Sequence, residues 1–474
     1  RLPNLFRRLF AEGAFASAFV PLFTKTHDGE GPEAGRLFAE ESLAALAAML
    51  LAFTAVSEVA MAWLTLALAP GFAADPDKFD LTVLLSRIAF PYLFFISLAT
   101  LLSGALNGLN RFAAAAFSSS LLNVVLIGAL IYVYWTGEFG SRHAGILLTF
   151  AITAGGIVQL VFLIFACRYA GLRMSLRWPR WTPGVKRLTR LAGPSVIAGG
   201  ITQINIVVGT IVASLQAGAV SWLYYADRLY QLPLGIVGIA VGIVLLPDLA
   251  RALRAGRAED ASHAQNRSME FAAALTLPAS VAVLLIPAAI IHVLFERGAF
   301  TAADTAATAP ALAAYAVGLP AFVAIKVLQP AYFAREDTSA PMWYGGISMV
   351  VNVAAAFGLF FLFGHVGIAA ATSIAAWVNA VLLFWTLHRR GHFAVDATIR
   401  RRIPLLLAGS VLMGAALYAA DWALASWLAD PHLSVQVIGL AILVFVGLMV
   451  FGLFVHFTGA ADFKRILKAV LRRG

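Results

Sequence analysis

The chain has 474 residues, of which 61% are hydrophobic and only 12% are charged, and its mean hydropathy is +0.86. Soluble domains carry about a quarter charged residues, so the composition excludes a soluble globular protein and indicates a polytopic membrane protein. The single cysteine, Cys167, excludes internal disulfides and multi-cysteine metal sites. The sequence has no HExxH, Walker A or GxSxG motif, and we predict a protein that is not an enzyme and holds no metal or cofactor.

Apolar segments long enough to span a bilayer follow one another along the whole chain. A span needs about 20 mostly apolar residues, and thirteen segments reach that length. The predicted fold class is therefore an all-α polytopic membrane protein with thirteen spans present. The segments are residues 1–26, 37–69, 81–106, 112–135, 143–167, 187–215, 220–249, 268–295, 305–333, 340–363, 366–388, 403–428 and 434–457.

The basic residues orient these segments. If the loop after the first segment is cytoplasmic, 25 of the 34 lysines and arginines lie in cytoplasmic loops and ends, against 3 on the outer side. This split follows the positive-inside rule. The net charge of +10 is then mostly a consequence of topology, and we do not expect the protein to bind nucleic acid.

The first segment carries charges that hydrocarbon does not accept without compensation. Arg7, Arg8 and Glu12 interrupt its apolar sequence RLPNLFRRLFAEGAF. Arg8 and Glu12 are four residues apart and can pair on one helical face, whereas Arg7 has Ala11 at the corresponding position. An arginine without a partner inside a membrane points to a wet cavity that receives an anion. The alternative is a cytosolic surface helix that precedes the first span.

A second charged stretch, YYADRLYQ, lies in segment 220–249. Asp227 and Arg228 are helical neighbours about 100° apart, so Asp227 need not neutralise Arg228. The planar fork of arginine suits phosphate. We predict that Arg7 and Arg228 face each other across a central cavity and bind an anionic substrate. The alternative is that Asp227–Arg228 and Arg8–Glu12 are both buried structural ion pairs.

Further charged and polar side chains are candidates for the lining of this cavity. Glu58 and Lys326 are single charges inside predicted spans, although Lys326 can instead extend to the membrane interface. Arg87 lies near the outer end of its span and is predicted to be an interfacial anchor. The candidate lining residues are Arg8, Glu12, Asp227, Gln231, Glu58 and Lys326.

An internal repeat relates the two halves of the chain. FPYLFFISLATLLSGALNGLNRF parallels LPAFVAIKVLQPAYFAREDTSAP, with Pro91 and Pro320 229 residues apart, and Asn123 and Asn352 separated by the same distance. The shift spans an even number of helices, so the halves are predicted to be parallel repeats. Transporters built in this way move two lobes about an axis along the membrane normal, with the substrate between them.

The repeat also predicts the domain organisation. Its first helix in the second half, 187–215, has its counterpart before Arg1, so we expect one N-terminal helix to be missing and the first lobe to have five helices against six. Two C-terminal spans fall outside the repeat. The predicted regions are an N-terminal lobe (1–170), a C-terminal lobe (183–392), two additional transmembrane helices (399–458) and a basic amphipathic tail (459–474).

Two segments carry a family resemblance. LPNLFRRLFAEGAFASAFVP and SWLYYADRLYQLPLGIVGIAVGIVLLPDL resemble signatures of the MurJ (MviN) family of lipid II flippases, in the multidrug/oligosaccharidyl-lipid/polysaccharide exporter superfamily. The resemblance implies a multi-pass protein of the bacterial cytoplasmic (inner) membrane. Its partners would be membrane lipids and lipid II, the undecaprenyl-diphosphate-linked peptidoglycan precursor, which it would move from the inner to the outer leaflet by alternating access.

The resemblance also implies roles for individual residues. Arginines of the family's cavity bind the diphosphate of the substrate, and two of them match Arg7 and Arg228. Where the family often has glutamate, three residues after the second arginine, this chain has Gln231. The alternative functions are a polysaccharide-unit flippase or a drug/cation exporter of the same superfamily. An exporter of cations would need acidic residues in its cavity, and the basic excess favours an anionic substrate.

Overall fold

Helices joined by short connections account for most of the protein in the computed structural model, which describes residues 14–175, 177–335 and 337–460. The predicted all-helical membrane fold is confirmed for these residues. Arg7, Arg8 and Glu12 lie outside them, as does residue 461 onward in the predicted tail.

The chain divides into two compact units, Arg1–Ile211 and Val212–Gly474. In the first unit α1 packs on α2 and α5, and α7 packs on α5 and α6. The end of α8 belongs to the second unit. The described helices are α1 (Ala14–Glu30), α2 (Pro32–Val59), α3 (Met61–Leu68), α4 (Pro76–Ala89), α5 (Tyr92–Gly108), α6 (Phe112–Thr136), α7 (Arg142–Tyr169) and α8 (Pro183–Ser214).

The second unit is built around two long helices, α12 and α14, which pack on each other. Helix α9 also packs on α12, while α10 and α17 both pack on α15. The described helices are α9 (Ala219–Arg254), α10 (Ala258–Leu285), α11 (Pro287–Phe295), α12 (Ala302–Phe333), α13 (Ser339–Phe363), α14 (His365–Arg389), α15 (Ala397–Ala423), α16 (Ala425–Leu428) and α17 (Leu433–Thr458).

Ten helical stretches of the described residues are long and apolar enough to cross a membrane. They correspond to ten of the thirteen predicted segments. The remaining three, 1–26, 187–215 and 220–249, include residues that the structure does not describe in full, so the count of thirteen stays a prediction. Large apolar side chains such as Trp63, Phe361 and Trp422 are 76%, 81% and 82% exposed. A bilayer solvates such surfaces, which in water would drive association.

Four predicted segments contain a break that the apolar pattern did not reveal, and one of them, 403–428, divides at Leu424. Segment 81–106 divides at Phe90 and Pro91, and segment 268–295 divides at Ile286, immediately before Pro287. A proline has no amide hydrogen for the preceding helical turn, which explains these two breaks. Segment 37–69 divides at Ala60 without a proline.

The starts of several helices repeat between the two units. Helices α2 and α10 start at Pro32 and Ala258, and α3 and α11 start at Met61 and Pro287, in both cases 226 positions apart (258 minus 32, and 287 minus 61). This regularity is the spacing that a repeat of the chain requires. The lobe boundaries at 170 and 183 stay a prediction.

Glu40 holds the loop between α7 and α8 against α2. Its side chain is fully buried and accepts hydrogen bonds from the backbone N–H of Ser175 (2.8 Å), from the Ser175 hydroxyl (3.0 Å) and from Nε of Arg177. Next to it, the Glu41 carboxylate accepts a hydrogen bond from the Thr182 hydroxyl at 2.7 Å. A buried carboxylate is tolerated only when it is bonded in this way, so these contacts fix the path of the loop.

Asn266 does the same for the loop between α14 and α15. Its Oδ1 accepts the backbone N–H of Asp396 at 3.1 Å, and its Nδ2 donates to the Ala394 carbonyl at 2.9 Å. Burial opposes the ionisation of Asp396, but the Ile399 N–H and the Arg267 guanidinium hold the pKa of this carboxyl below its usual range. Asn266 lies 226 positions after Glu40, which anchors the first loop. Equivalent loops in the two units are therefore anchored by different side chains.

The repeat offers a matched test of close helix packing. Gly145 in HAGI and Gly367 in HVGI are counterparts, but a Cβ on Gly367 would overlap the Leu359 carbonyl, whereas a Cβ on Gly145 would meet no atom within 4 Å. We expect Gly367→Ala to lower the unfolding free energy by roughly 1–3 kcal/mol. Gly145→Ala should be neutral or slightly stabilising. Thermal unfolding in detergent measures both; equal melting temperatures for the two variants would contradict the packing described here.

The loop anchor is tested by Glu40→Ala. Removing the carboxylate breaks its two hydrogen bonds with Ser175, each worth about 0.5–1.5 kcal/mol, and releases Arg177. We expect a lower melting temperature and faster trypsin cleavage within residues 173–182. Glu33→Ala is the control, because the Glu33 side chain is 93% exposed and its described ion pair, with Arg36 at 3.6 Å, lies on the helix surface. An unchanged cleavage rate for Glu40→Ala would show that the loop is held by other contacts.

Candidate functional site

Helix α9 presents two faces of different character. Leu223, Ala226 and Tyr230 are buried, and the ring of Tyr230 stacks on Tyr315 of α12 with 4.8 Å between centroids. This spacing of three and four residues is that of one helical face. Arg228 is two positions beyond Ala226, about 200° around the helix, and it is exposed.

Tyr224 lies one turn before Arg228 on this exposed face. Nη2 of Arg228 donates a hydrogen bond to the Tyr224 hydroxyl at 2.8 Å. The guanidinium carbon also lies 4.8 Å from the centroid of the Tyr224 ring, within the range of a cation–π interaction. The tyrosine therefore contacts the guanidinium through both its ring and its hydroxyl.

The carboxylate next to Arg228 is directed elsewhere. Asp227 accepts a hydrogen bond from Nε2 of Gln231, four residues further along α9. Among the described residues, no carboxylate oxygen lies within 4.0 Å of a guanidinium nitrogen of Arg228, so no salt bridge forms there. The described residues therefore contain no Asp227–Arg228 ion pair, and the hydrogen bond described for the guanidinium is the one to Tyr224.

The predicted lining residue Glu58 is not an isolated charge. It lies at the end of α2, half-buried, and Arg87 of α4 is close enough to attract its carboxylate electrostatically. Its Oε1 is buried without a hydrogen-bond partner among the described residues. The sequence did not predict this attraction between Glu58 and Arg87, because the two residues are far apart in the chain and lie on different helices.

Lys326 lies on α12 near the buried Val323 and Val327 but is itself exposed. The described part of the chain places no hydrogen bond or ion pair between Lys326 and Arg228. The structure thus brings Asp227 together with Gln231, and it does not join Lys326 to them. Among the described residues, no group of three or more His, Cys, Asp or Glu side chains could hold a metal ion.

Tyr224 is the residue at this site that the sequence reading did not single out. The available signal was its position: an aromatic residue four before an intramembrane arginine shares its helical face. The stretch SWLYYADRLYQ contains three tyrosines, and only the structure separates the roles of two of them. Tyr230 packs into the helix interface, whereas Tyr224 contacts the guanidinium.

Comparisons with known proteins agree over most of the chain. The sequence profile of the family described as "MurJ: Lipid II flippase MurJ" matches residues 1–450. The "Probable lipid II flippase MurJ" of Rhizobium meliloti (strain 1021) is 48% identical over 478 residues, which cover 100% of this chain and 88% of that protein. The "Lipid II flippase MurJ" of Burkholderia cenocepacia is 32% identical over 440 residues, which cover 89% of this chain and 83% of that protein.

Solved structures support the fold. "Lipid II flippase MurJ, inward closed conformation" superposes with a TM-score of 0.78 at 23% identity and covers 96% of this chain and 91% of that chain. An inward-facing multidrug resistance transporter of the MATE family superposes with a TM-score of 0.59 at 16% identity, covering 82% and 94%. With the ten apolar helices among its described residues, the protein is a multi-pass protein of the bacterial inner membrane. By the profile match and by these identities, the chain belongs to the MurJ family of lipid II flippases.

Proposed function

We propose that this chain moves lipid II from the inner to the outer leaflet, and that Arg228 and Arg7 bind the diphosphate of the lipid. The observation that carries the proposal is the state of Arg228. Its guanidinium is exposed on α9, its contact among the described residues is an uncharged tyrosine, and the adjacent carboxylate is bonded to Gln231.

The energetics favour an anionic substrate. A guanidinium surrounded by apolar helices is costly unless it meets water or an opposite charge. A diphosphate offers several oxygens to the planar fork, and bonds between two charged groups are about twice as strong as neutral ones. Binding of the headgroup would therefore offset the desolvation of the cation, and each lobe would contribute one such arginine.

The rival functions are less well supported. A drug or cation exporter would need a carboxylate free to bind a cation, whereas Asp227 is bonded to the amide of Gln231 and Glu58 lies near Arg87. The family match over residues 1–450 favours lipid II over a polysaccharide unit. We also propose that the lobes 1–170 and 183–392 are the moving parts of an alternating-access cycle, since the helix starts repeat between them.

Substitution of Arg228 tests the proposal directly. Arg228→Ala removes both the charge and the fork, and the loss of two charge-assisted hydrogen bonds is expected to weaken lipid II binding by about 100-fold. Arg228→Lys keeps the charge but loses the bidentate geometry, so its affinity should be intermediate. Binding of purified protein to lipid II in detergent, together with growth of cells depleted of their own flippase, provides the two measurements.

Arg142, an exposed arginine in the first turn of α7, supplies the matched control. Arg142→Ala makes the same chemical change away from the proposed site and should leave affinity and growth unaltered. Wild-type affinity for Arg228→Ala would eliminate the diphosphate-binding role proposed for this residue.

Arg7 is tested in the same cells. Arg7→Ala should abolish growth without lowering the amount of protein, because the residue is proposed to act on the substrate. Arg8→Ala should instead act through stability and lower the protein level, if Arg8 pairs with Glu12 as the sequence predicts. Immunoblots beside the growth assay separate the two effects. Normal growth of the double variant Arg7→Ala, Arg228→Ala would rule out the anion-binding mechanism.

A further inference from the structure

The contact between Tyr224 and Arg228 has a geometry suited to more than packing. The hydroxyl oxygen accepts one N–H of the guanidinium at 2.8 Å, while the guanidinium carbon lies 4.8 Å from the ring centroid. Tyr224 is itself 41% exposed, so burial of its ring is not the main consequence of this contact. The neighbouring Tyr225 contrasts with it, because its ring packs on Phe295 and Phe300 at 4.8 and 5.0 Å.

These two interactions restrict different motions of the arginine. An unrestrained arginine side chain samples many rotamers, and ordering it on binding a ligand costs entropy. The hydrogen bond to the hydroxyl fixes one N–H, and the attraction to the ring keeps the guanidinium near its face. The remaining N–H groups then keep a fixed direction, and the tyrosine brings no negative charge that would compete with an anion.

We propose that Tyr224 is a positioning residue that holds the guanidinium of Arg228 in the orientation that binds the diphosphate of the substrate. The proposal rests on the function proposed above, since it assigns Tyr224 a role through Arg228. Tyr224 acts by reducing the freedom that Arg228 loses on binding. These contacts with Tyr224 also explain how Arg228, which has no described carboxylate partner, can stay ordered before the substrate binds.

Two substitutions separate the contributions of the ring and the hydroxyl. Tyr224→Phe keeps the ring and removes the hydrogen bond, and lipid II affinity should fall by about 5-fold, the order expected for one such bond. Tyr224→Leu removes both interactions and should weaken binding by about 10- to 30-fold. The dissociation constant for lipid II in detergent is the readout, and melting temperature is measured alongside, because a merely structural residue would alter stability instead.

The deciding measurement is a double-mutant cycle. In the Arg228→Ala background, Tyr224→Leu should produce no further loss of affinity, because nothing remains to be positioned. An equal loss in both backgrounds would mean that Tyr224 acts independently, and would overturn the proposal. Tyr225→Phe, which preserves the ring packing on Phe295 and Phe300, should bind lipid II like the wild type.

The cycle also separates this inference from the proposed function. If Arg228→Ala weakens binding while Tyr224→Leu alone binds normally, the positioning role is wrong and the diphosphate-binding role stands. If Arg228→Ala itself binds lipid II like the wild type, both fail together. A loss of affinity in Tyr224→Leu that comes with a large fall in melting temperature, and without any loss in Tyr224→Phe, would also count against positioning.

Discussion

The free-energy cost of placing a guanidinium among apolar helices is the constraint on which the proposed function of this protein depends. Such a charge costs several kcal/mol unless it meets water, a partner or a ligand. Arg228 lies on the exposed face of α9, opposite the face that packs on α12, and its described partner is a tyrosine. The fold thus keeps the charge out of the helix interface, where an unpaired cation would be most destabilising, and leaves it accessible.

Other polar side chains in the spans are treated differently. The His365 imidazole bonds to the Ala307 carbonyl at 2.7 Å, the Ser373 hydroxyl donates to the Ala314 carbonyl at 2.6 Å, and the Trp377 indole donates to the Val317 carbonyl at 2.9 Å. Each joins α14 to α12. Hydrogen bonds between helices replace the hydrophobic driving force that lipid does not provide, so these groups serve the architecture, in contrast to the arginine.

The sequence allowed the helical class and ten of the spans to be predicted, because hydrocarbon imposes a minimum apolar length on every helix that crosses it. Helix breaks were not predictable at the same level. Proline coincides with breaks at Pro91 and Pro287, yet α12 continues through Pro310, Pro320 and Pro330. Neighbouring helices and local adjustments can satisfy the carbonyls that a proline leaves unbonded, and those partners come from distant parts of the chain.

The candidate site was predictable only in part, for a related reason. An arginine in an apolar stretch is visible in the sequence, but its partners are not. Asp227 is the adjacent residue, yet its carboxylate bonds Gln231, and the contact to Arg228 comes from Tyr224. Likewise, the sequence does not indicate that Glu40 is buried or that its carboxylate accepts a hydrogen bond from Ser175, because the two residues are 135 positions apart.

The sequence places no counterpart of Tyr224 four residues before Arg7. Tyr224 lies four residues before Arg228, whereas Pro3 lies four residues before Arg7. Proline has neither an aromatic ring for a cation–π interaction nor a hydroxyl for a hydrogen bond. The repeat conserves helix starts 226 positions apart while exchanging side chains, as it does where Glu40 and Asn266 anchor equivalent loops with a carboxylate and an amide. The site proposed from Arg7 and Arg228 is therefore asymmetric in the residues one turn before each arginine. This asymmetry suits a diphosphate-linked lipid, whose two phosphates are themselves inequivalent because one carries the sugar and the other the lipid chain.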